Sequence, residues 1–363
     1  MSLPADVWYG DARWSRAVRG LLAPAGWTYA SVAWFRNSLY DAGLLTAHES
    51  ALPTISLGNL SVGGTGKTPV AAWVASRLLE AGARPAVVMR GYGDDELLVH
   101  TRLNPGVIVV ADADRLRGVR RARELGADCA ILDDAFQHRR IRRSADWLLV
   151  AAEQWRPDLR CLPAGPLRES HRSISRATLI IVTRKSADRA RAEVVAEQLT
   201  RESGGTATAL VHLAPGGLVD AQTGAHASLS WVDGRAVVAV AAVGAPTAFF
   251  AQLRSHGARV AEAAYRDHHA YSARDVEHLV RRAATTDAVI CTLKDAVKLA
   301  PLWPRKGPAL WYLSQRAVVE HGAAVLDASL ANLLAARTGV TQTAGSTGPS
   351  SPTHGDRSST ADQ

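Results

Sequence analysis

Residues 54–82 pass from an apolar segment, "TISLGNL", through a glycine-rich turn, "SVGGTGKT", into an amphipathic segment, "KTPVAAWVASRLLEAG". The order strand, glycine turn, helix constrains this chain more than any other stretch, because it gathers backbone N–H groups and the positive end of a helix around one point. Such a point binds phosphate. Against the pattern G-x-x-x-x-G-K-[ST] the turn departs only at its first position, Ser61. Ser61, Val62, Gly63, Gly64, Thr65, Gly66, Lys67 and Thr68 form the expected nucleotide-binding loop. The glycines let the backbone close on an anion, Lys67 can reach the β- and γ-phosphates of a nucleotide, and Thr68 can ligate Mg²⁺. Pro69 falls in the first helical turn, where a missing N–H costs little.

The rest of such a metal site is an acid at the end of a buried strand, and "DCAILDD" supplies Asp133 and Asp134 there. Further apolar runs, "PAVVM", "GVIVVA", "ADWLLVAA" and "ATLIIVT", lack the alternation of one-sided strands and suit a buried parallel sheet. The expected fold class is α/β: a P-loop NTPase-like parallel sheet domain with a second, smaller α/β domain. We place the first at 51–205, short linker strands in "TALVHLA" and "GLVDAQTG" at 206–232, and a C-terminal α/β domain at 233–335. Residues 338–363 are small and polar and are expected to be disordered, since they cannot bury enough surface to offset ordering.

Residues 1–50 hold Trp8, Trp14, Trp27 and Trp34, with Tyr9, Tyr29, Phe35 and Tyr40. The uncharged stretch between Arg19 and Arg36 is 16 residues and contains Pro24 and Gly26. That falls short of the ~20 apolar residues of a spanning helix. Two readings stand. Trp27, Ala30 and Trp34 share a helical face that lies on a bilayer while Arg13, Arg16 and Arg19 meet anionic lipid, or the same aromatics pack the helix on the body.

Three cysteines, Cys129, Cys161 and Cys291, have no zinc-ligand spacing, and no secretory leader opens the chain, so a reducing cytosol is expected. The net charge of +8 concentrates at Arg115, Arg117, Arg120, Arg121 and Arg123 and at Arg139, Arg140, Arg142 and Arg143. Solvated helix faces, anionic lipid or a phosphorylated substrate each answer to it. No aromatic-interleaved RNA-binding signature accompanies the arginines, so no nucleic acid is expected.

The loop in its setting, "SLGNLSVGGTGKTPV", followed by "RGYG", "DDAFQHRR", "LPAGPLRE", "DHHAYSARD" and "TLKDAVKL", resembles the tetraacyldisaccharide 4'-kinase family from about Trp8 to Leu334. The resemblance implies transfer of phosphate from ATP, with Mg²⁺, to the 4'-hydroxyl of an acylated disaccharide 1-phosphate lipid. It also implies peripheral attachment at the cytoplasmic face of the inner membrane. It assigns the acceptor's proton to an aspartate of a Gly-Asp-Glu motif, aided by a histidine of Asp-His-His, here Asp267 and His268. The loop that family members place between the RGYG and Gly-Asp-Glu motifs is missing, and "RGYGDDELL" fuses them. The base is therefore Asp94 or Asp95, with Asp95 in the better register. Arg90, His138 and Arg168 are the expected substrate contacts.

A second reading is a switch ATPase that acts on a protein or nucleic-acid partner. Such deviant P-loops carry a lysine just before the double glycine, where this chain has Val62.

Overall fold

The computed structural model describes residues 3–91, 94–244 and 246–344, at backbone level alone for 3–5, 94 and 338–344. Two helices, α1 (Leu3–Tyr9) and α2 (Arg13–Asp41), precede an alternating series. The series runs β1 (Thr54–Gly58), α3 (Lys67–Glu80), β2 (Pro85–Met89), α4 (Asp94–Leu103), β3 (Ile108–Ala111), α5 (Arg115–Glu124), β4 (Cys129–Asp133), β5 (Ala145–Ala151), β6 (Leu179–Arg184) and α6 (Arg189–Glu202). Next come β7 (Thr208–Asp220), β8 (His226–Ala227), β9 (Ala236–Ala241), α7 (Pro246–Ser255), β10 (Arg259–Ala264), α8 (Ala273–Arg282), β11 (Ala288–Thr292), α9 (Leu293–Leu299), β12 (Leu310–His321) and α10 (Ala323–Ala344).

The strands form one sheet in the order β10-β9-β11-β12-β7-β6-β5-β1-β4-β2-β3, with β8 beside β7. Neighbours are parallel except at β7/β12 and β7/β8. The stretches read as two short linker strands are a single strand, β7, which pairs in parallel with β6 and antiparallel with β12. The two halves of the chain are thus joined through hydrogen-bonded sheet.

Helices on both faces explain the unbroken apolar runs. Ile55, Leu57, Ile131 and Trp147 face α3, while Leu148, Val150, Ile180 and Val182 face α6 on the other side. Leu326, Leu330 and Leu333 of α10 join the core under β1 and β4, and Trp147 donates to the Ser329 hydroxyl at 3.0 Å. The last helix therefore covers the first half of the sheet, not the second half that precedes it in sequence. It continues to Ala344, past residue 338 where the tail was expected to begin; residues 345–363 lie outside the described residues.

Small residues seat α2 on the body. Ser15, Ala23, Gly26 and Asn37 are its buried residues, and a methyl group at Gly26 would press on Ala164 Cβ at 3.1 Å and the Cys161 carbonyl at 3.2 Å. Ala30 packs against the Phe136 core, so it belongs to this seat and not to the outward face with Trp27 and Trp34. The outward surface instead carries Leu21, Val32 and Phe35, which are 82%, 65% and 60% exposed, flanked by Trp27 and Trp34. Arg19 turns inward and donates to the Val7 and Gly10 carbonyls, both at 2.7 Å. No helix among the described residues is long and apolar enough to cross a membrane.

Much of the basic surplus is paired. Arg117 meets Asp112, Arg139 meets Asp41, Arg142 meets Glu49 and Arg143 meets Asp146.

Candidate active site

The phosphate loop leaves β1 at Gly58, where the chain runs so close to Phe136 that an added Cβ would lie 2.5 Å from its side chain. Ser61 pairs with Leu167, and the Val62 N–H donates to the Pro166 carbonyl at 2.8 Å, so the segment "PAGPLRE" braces the loop from outside. Gly63 has φ +130° and Gly66 φ +82°; Gly66 is the N-cap of α3, with Lys67 and Thr68 following in its first turn. Thr65 is buried, and its carbonyl accepts from the Thr183 hydroxyl at 2.9 Å, tying the loop to β6. A side chain at Gly66 would meet Leu213 at 2.2 Å in a backbone region closed to most residues. Gly66→Ala is expected to lower ATP affinity at least tenfold in equilibrium dialysis; unchanged affinity would show that the loop relaxes without loss.

At the end of β4 the two adjacent acids take different surroundings. Asp133 Oδ2 accepts from His100 Nε2 at 3.1 Å, while its Oδ1 is buried and partnerless. Burial opposes the charge of Asp133, but the His100 contact and the charge of Lys67 outweigh it and hold the carboxyl below its usual range. Asp134, with φ 52°, turns the other way. Arg168 Nη1 lies 2.9 Å from both of its oxygens and Lys67 Nζ 3.5 Å from Oδ1.

Across the cleft, α4 carries Asp95 and the turn after β10 carries His268. Asp95 Oδ2 is 3.3 Å from His268 Nδ1 and 3.1 Å from Lys298 Nζ of α9. Burial pushes the Asp95 carboxyl up, but the Lys298 hydrogen bond and charge, then His268, more than offset it and keep the carboxyl low. Asp95 is a charged acceptor near neutral pH. His268 has φ 57°, and it and Asp134 are the non-glycine residues with left-handed backbone among the described residues. Both lie at this cleft, where such strain collects when geometry serves function. Asp267 approaches His268 from the other ring nitrogen, at 4.0 Å.

The structure thus gathers Lys67, Asp134 and Arg168 in one group, Asp95 and His268 in a second, and links the Asp133 carboxylate to α4 through His100. Glu96, beside Asp95, is pushed upward by burial and then by Asp133, with Lys294 of α9 opposing. His138 stands apart from these groups. It is half-buried near Arg115 and Arg143, its Nε2 is enclosed without a partner, and burial followed by those charges lowers it to about 4, leaving a neutral imidazole. Arg90 is exposed just after β2. Tyr92 and Gly93 and the Asp94 side chain lie outside the described residues.

Sequence reasoning passed over His100 and Lys298. Neither has a local signal: His100 looks like any helix histidine, and Lys298 sits in a quoted motif without a stated task.

No described cluster joins three His, Cys, Asp or Glu side chains in a metal site. A P-loop Mg²⁺ asks for less, since a hydroxyl, one or two carboxylates, water and phosphate oxygens complete its shell. The buried, partnerless Asp133 Oδ1 is an acceptor suited to that role.

Residues 18–96 and 93–335 match the family model described as Tetraacyldisaccharide-1-P 4'-kinase. The two matched stretches meet at 93–96, where the motifs fuse. The tetraacyldisaccharide 4'-kinase of Anaeromyxobacter dehalogenans (strain 2CP-C) is 37% identical over 341 residues, covering 86% of this chain and 89% of the relative. That of Chlorobium luteolum is 33% identical, covering 78% and 88%. The crystal structure of LpxK from Aquifex aeolicus in complex with ATP superposes with a TM-score of 0.70 at 26% identity, covering 87% of this chain and 99% of that one.

Proposed function

The chain belongs to the tetraacyldisaccharide-1-P 4'-kinase family, and from that premise we propose how its residues carry phosphate from ATP to the 4'-hydroxyl of tetraacyldisaccharide 1-phosphate in lipid A synthesis. The observation that carries the reading is the Asp95–His268 pair at 3.3 Å, formed between residues 173 apart in sequence. A switch ATPase has no need of it.

Phosphoryl transfer asks the protein mainly for positioning and charge. The 61–68 loop wraps the phosphates, and Lys67 neutralises charge that builds on the β- and γ-oxygens. Asp95 accepts the proton of the acceptor hydroxyl. His268, hydrogen-bonded to that carboxylate at 3.3 Å, orients it. Thr68 and Asp133, with Asp134 beside them, would hold Mg²⁺, which when bound screens the phosphate charge. Arg168, next to Asp134, and exposed Arg90 are the proposed contacts for substrate phosphate; His138 would at most offer a neutral hydrogen bond.

The test is direct. Labelled ATP, Mg²⁺ and disaccharide 1-phosphate lipid in mixed micelles should yield a bisphosphorylated lipid, and ATP consumption should require the lipid. ATP hydrolysis indifferent to the acceptor would support the switch reading instead.

A lipid acceptor calls for a bilayer contact, and we assign it to the outward surface of α2, with the protein peripheral at the inner-membrane surface. Leu21, Trp27, Val32, Trp34 and Phe35 form an exposed apolar patch, and Arg13 and Arg16 are exposed nearby in sequence. Leu21→Glu with Phe35→Glu is expected to reduce flotation with anionic vesicles at least tenfold and to leave ATP affinity unchanged. Equal flotation of the variant would remove α2 as the attachment surface.

A further inference from the structure

Helix α9 carries "LKDAVKL", to which the reaction so far gives no task. Its residues connect the two sides of the cleft. The Thr292 hydroxyl caps the helix, accepting from the Asp295 N–H at 3.3 Å and donating to Asp295 Oδ2 at 2.6 Å. Asp295 is fully buried; it accepts from the Ala242 N–H at 3.2 Å and from the Tyr271 hydroxyl at 2.9 Å. The Ala242 carbonyl in turn accepts from the His268 N–H at 3.3 Å. One turn along, Lys298 Nζ lies 3.1 Å from Asp95 Oδ2 and donates to the His269 carbonyl at 3.3 Å. One ammonium therefore holds the base and the backbone next to the base's imidazole partner.

We propose that Lys298 is a positioning residue for phosphoryl transfer, fixing the Asp95 carboxylate and the His268 turn in one geometry across the two halves of the fold. The inference rests on Asp95 being the base.

The charges that act on Asp95 come from Lys298 of α9 and His268 of the turn after β10, while Glu96 on α4 itself feels Asp95 in turn. Of the other elements packed on α4, β3 carries no charged residue, and Lys67 of α3 pairs with Asp134 instead. Among the described residues, Lys298 and His268 touch Asp95. Their exposure separates their roles. The His268 side chain is 54% exposed and water screens it, whereas Lys298 is 17% exposed and Asp95 7%. A carboxylate so buried, deprived of its ammonium, binds a proton more readily and is free to turn.

The experiment compares Lys298→Met, Lys298→Arg, Asp95→Asn and the Lys298→Met/Asp95→Asn double variant in the micelle assay, with ATP binding followed by dialysis. Lys298→Met should lower kcat by roughly 10–100-fold, the scale of a misplaced reacting group, with ATP affinity unchanged. Removing the positive charge raises the Asp95 pKa, so the acid limb of kcat against pH should move to higher pH. Lys298→Arg keeps the charge and should keep the acid limb in place. In the Asp95→Asn background, Lys298→Met should cost nothing more, because both changes act on one group. An acid limb that stays put in Lys298→Met, or losses that multiply in the double variant, would overturn the proposal; where Lys298→Met does not fold, Lys298→Gln takes its place with the same expectations. Near-normal kcat in Asp95→Asn would instead refute the base assignment itself, whatever Lys298 does.

Discussion

Lys67→Met is expected to leave a folded protein that transfers phosphate roughly 10³-fold more slowly or worse, the scale on which preorganised cationic and hydrogen-bonding groups act on developing phosphoryl charge. The fold should survive for a structural reason. Lys67 is an N-terminal residue of α3, outside the buried core, and Asp134, its ion-pair partner, keeps Arg168 at 2.9 Å when the ammonium is gone. Buried Asp133 loses one of the charges that favour its ionised form but keeps its His100 contact at 3.1 Å. Circular dichroism should match the parent, and the labelled-lipid assay should show the loss. Turnover within tenfold of the parent would mean that the loop binds something other than the transferred phosphate.

Asp95→Asn and His268→Ala should each depress kcat by roughly 10²–10⁴-fold, the usual range for a lost general base or its orienting partner. ATP affinity should hold in both, since the nucleotide loop lies on a different element. Because the two side chains serve one proton transfer, the double variant should fall little below the worse single one. Asp94→Ala, by contrast, should be mild. A severe Asp94→Ala with a mild Asp95→Asn would shift the register of the fused "RGYGDDELL" motif by one residue. Mild effects at both positions would send the acceptor chemistry elsewhere. Asp95 bears directly on pH dependence: its carboxyl is held low, so activity that depends on its charge is present at neutral pH and declines as pH falls through that lowered value.

The shape of the 61–68 loop was legible from eight consecutive residues because its physics is local. Gly63 and Gly66 are needed for their own backbone angles, Lys67 for its place in the first turn of α3, and the apolar run of β1 for burial on both faces. The place of Asp133 and Asp134 at the end of a buried strand was legible for the same reason, from the unbroken apolar run before them. The pairing of Asp95 with His268 was not read from residue pattern; the family resemblance alone suggested it, and it could not fix which aspartate takes part. In the structure Asp95 meets His268 at 3.3 Å, a contact between residues 173 apart that no local pattern shows.

Other features depended on the tertiary structure throughout. Helical spacing alone put Trp27, Ala30 and Trp34 on one face, but the close fit of Gly26 against Ala164 and Cys161 rotates Ala30 onto the body and leaves Leu21, Val32 and Phe35 outward. Apolar periodicity marks that a face is buried and not what buries it, so α10 read as the end of the second half although its leucines fill the core beneath β1. Lys298 is the extreme case. Nothing near it in sequence distinguishes it from a solvated lysine, and it reaches Asp95 because the antiparallel β7/β12 pair joins the halves into one sheet and carries α9 against α4. Local sequence determined the glycine turn and the start of α3, since backbone conformation and helix ends are local properties. Which charges meet across the cleft was decided by strand order, because a contact between distant residues exists only once the sheet between them has closed.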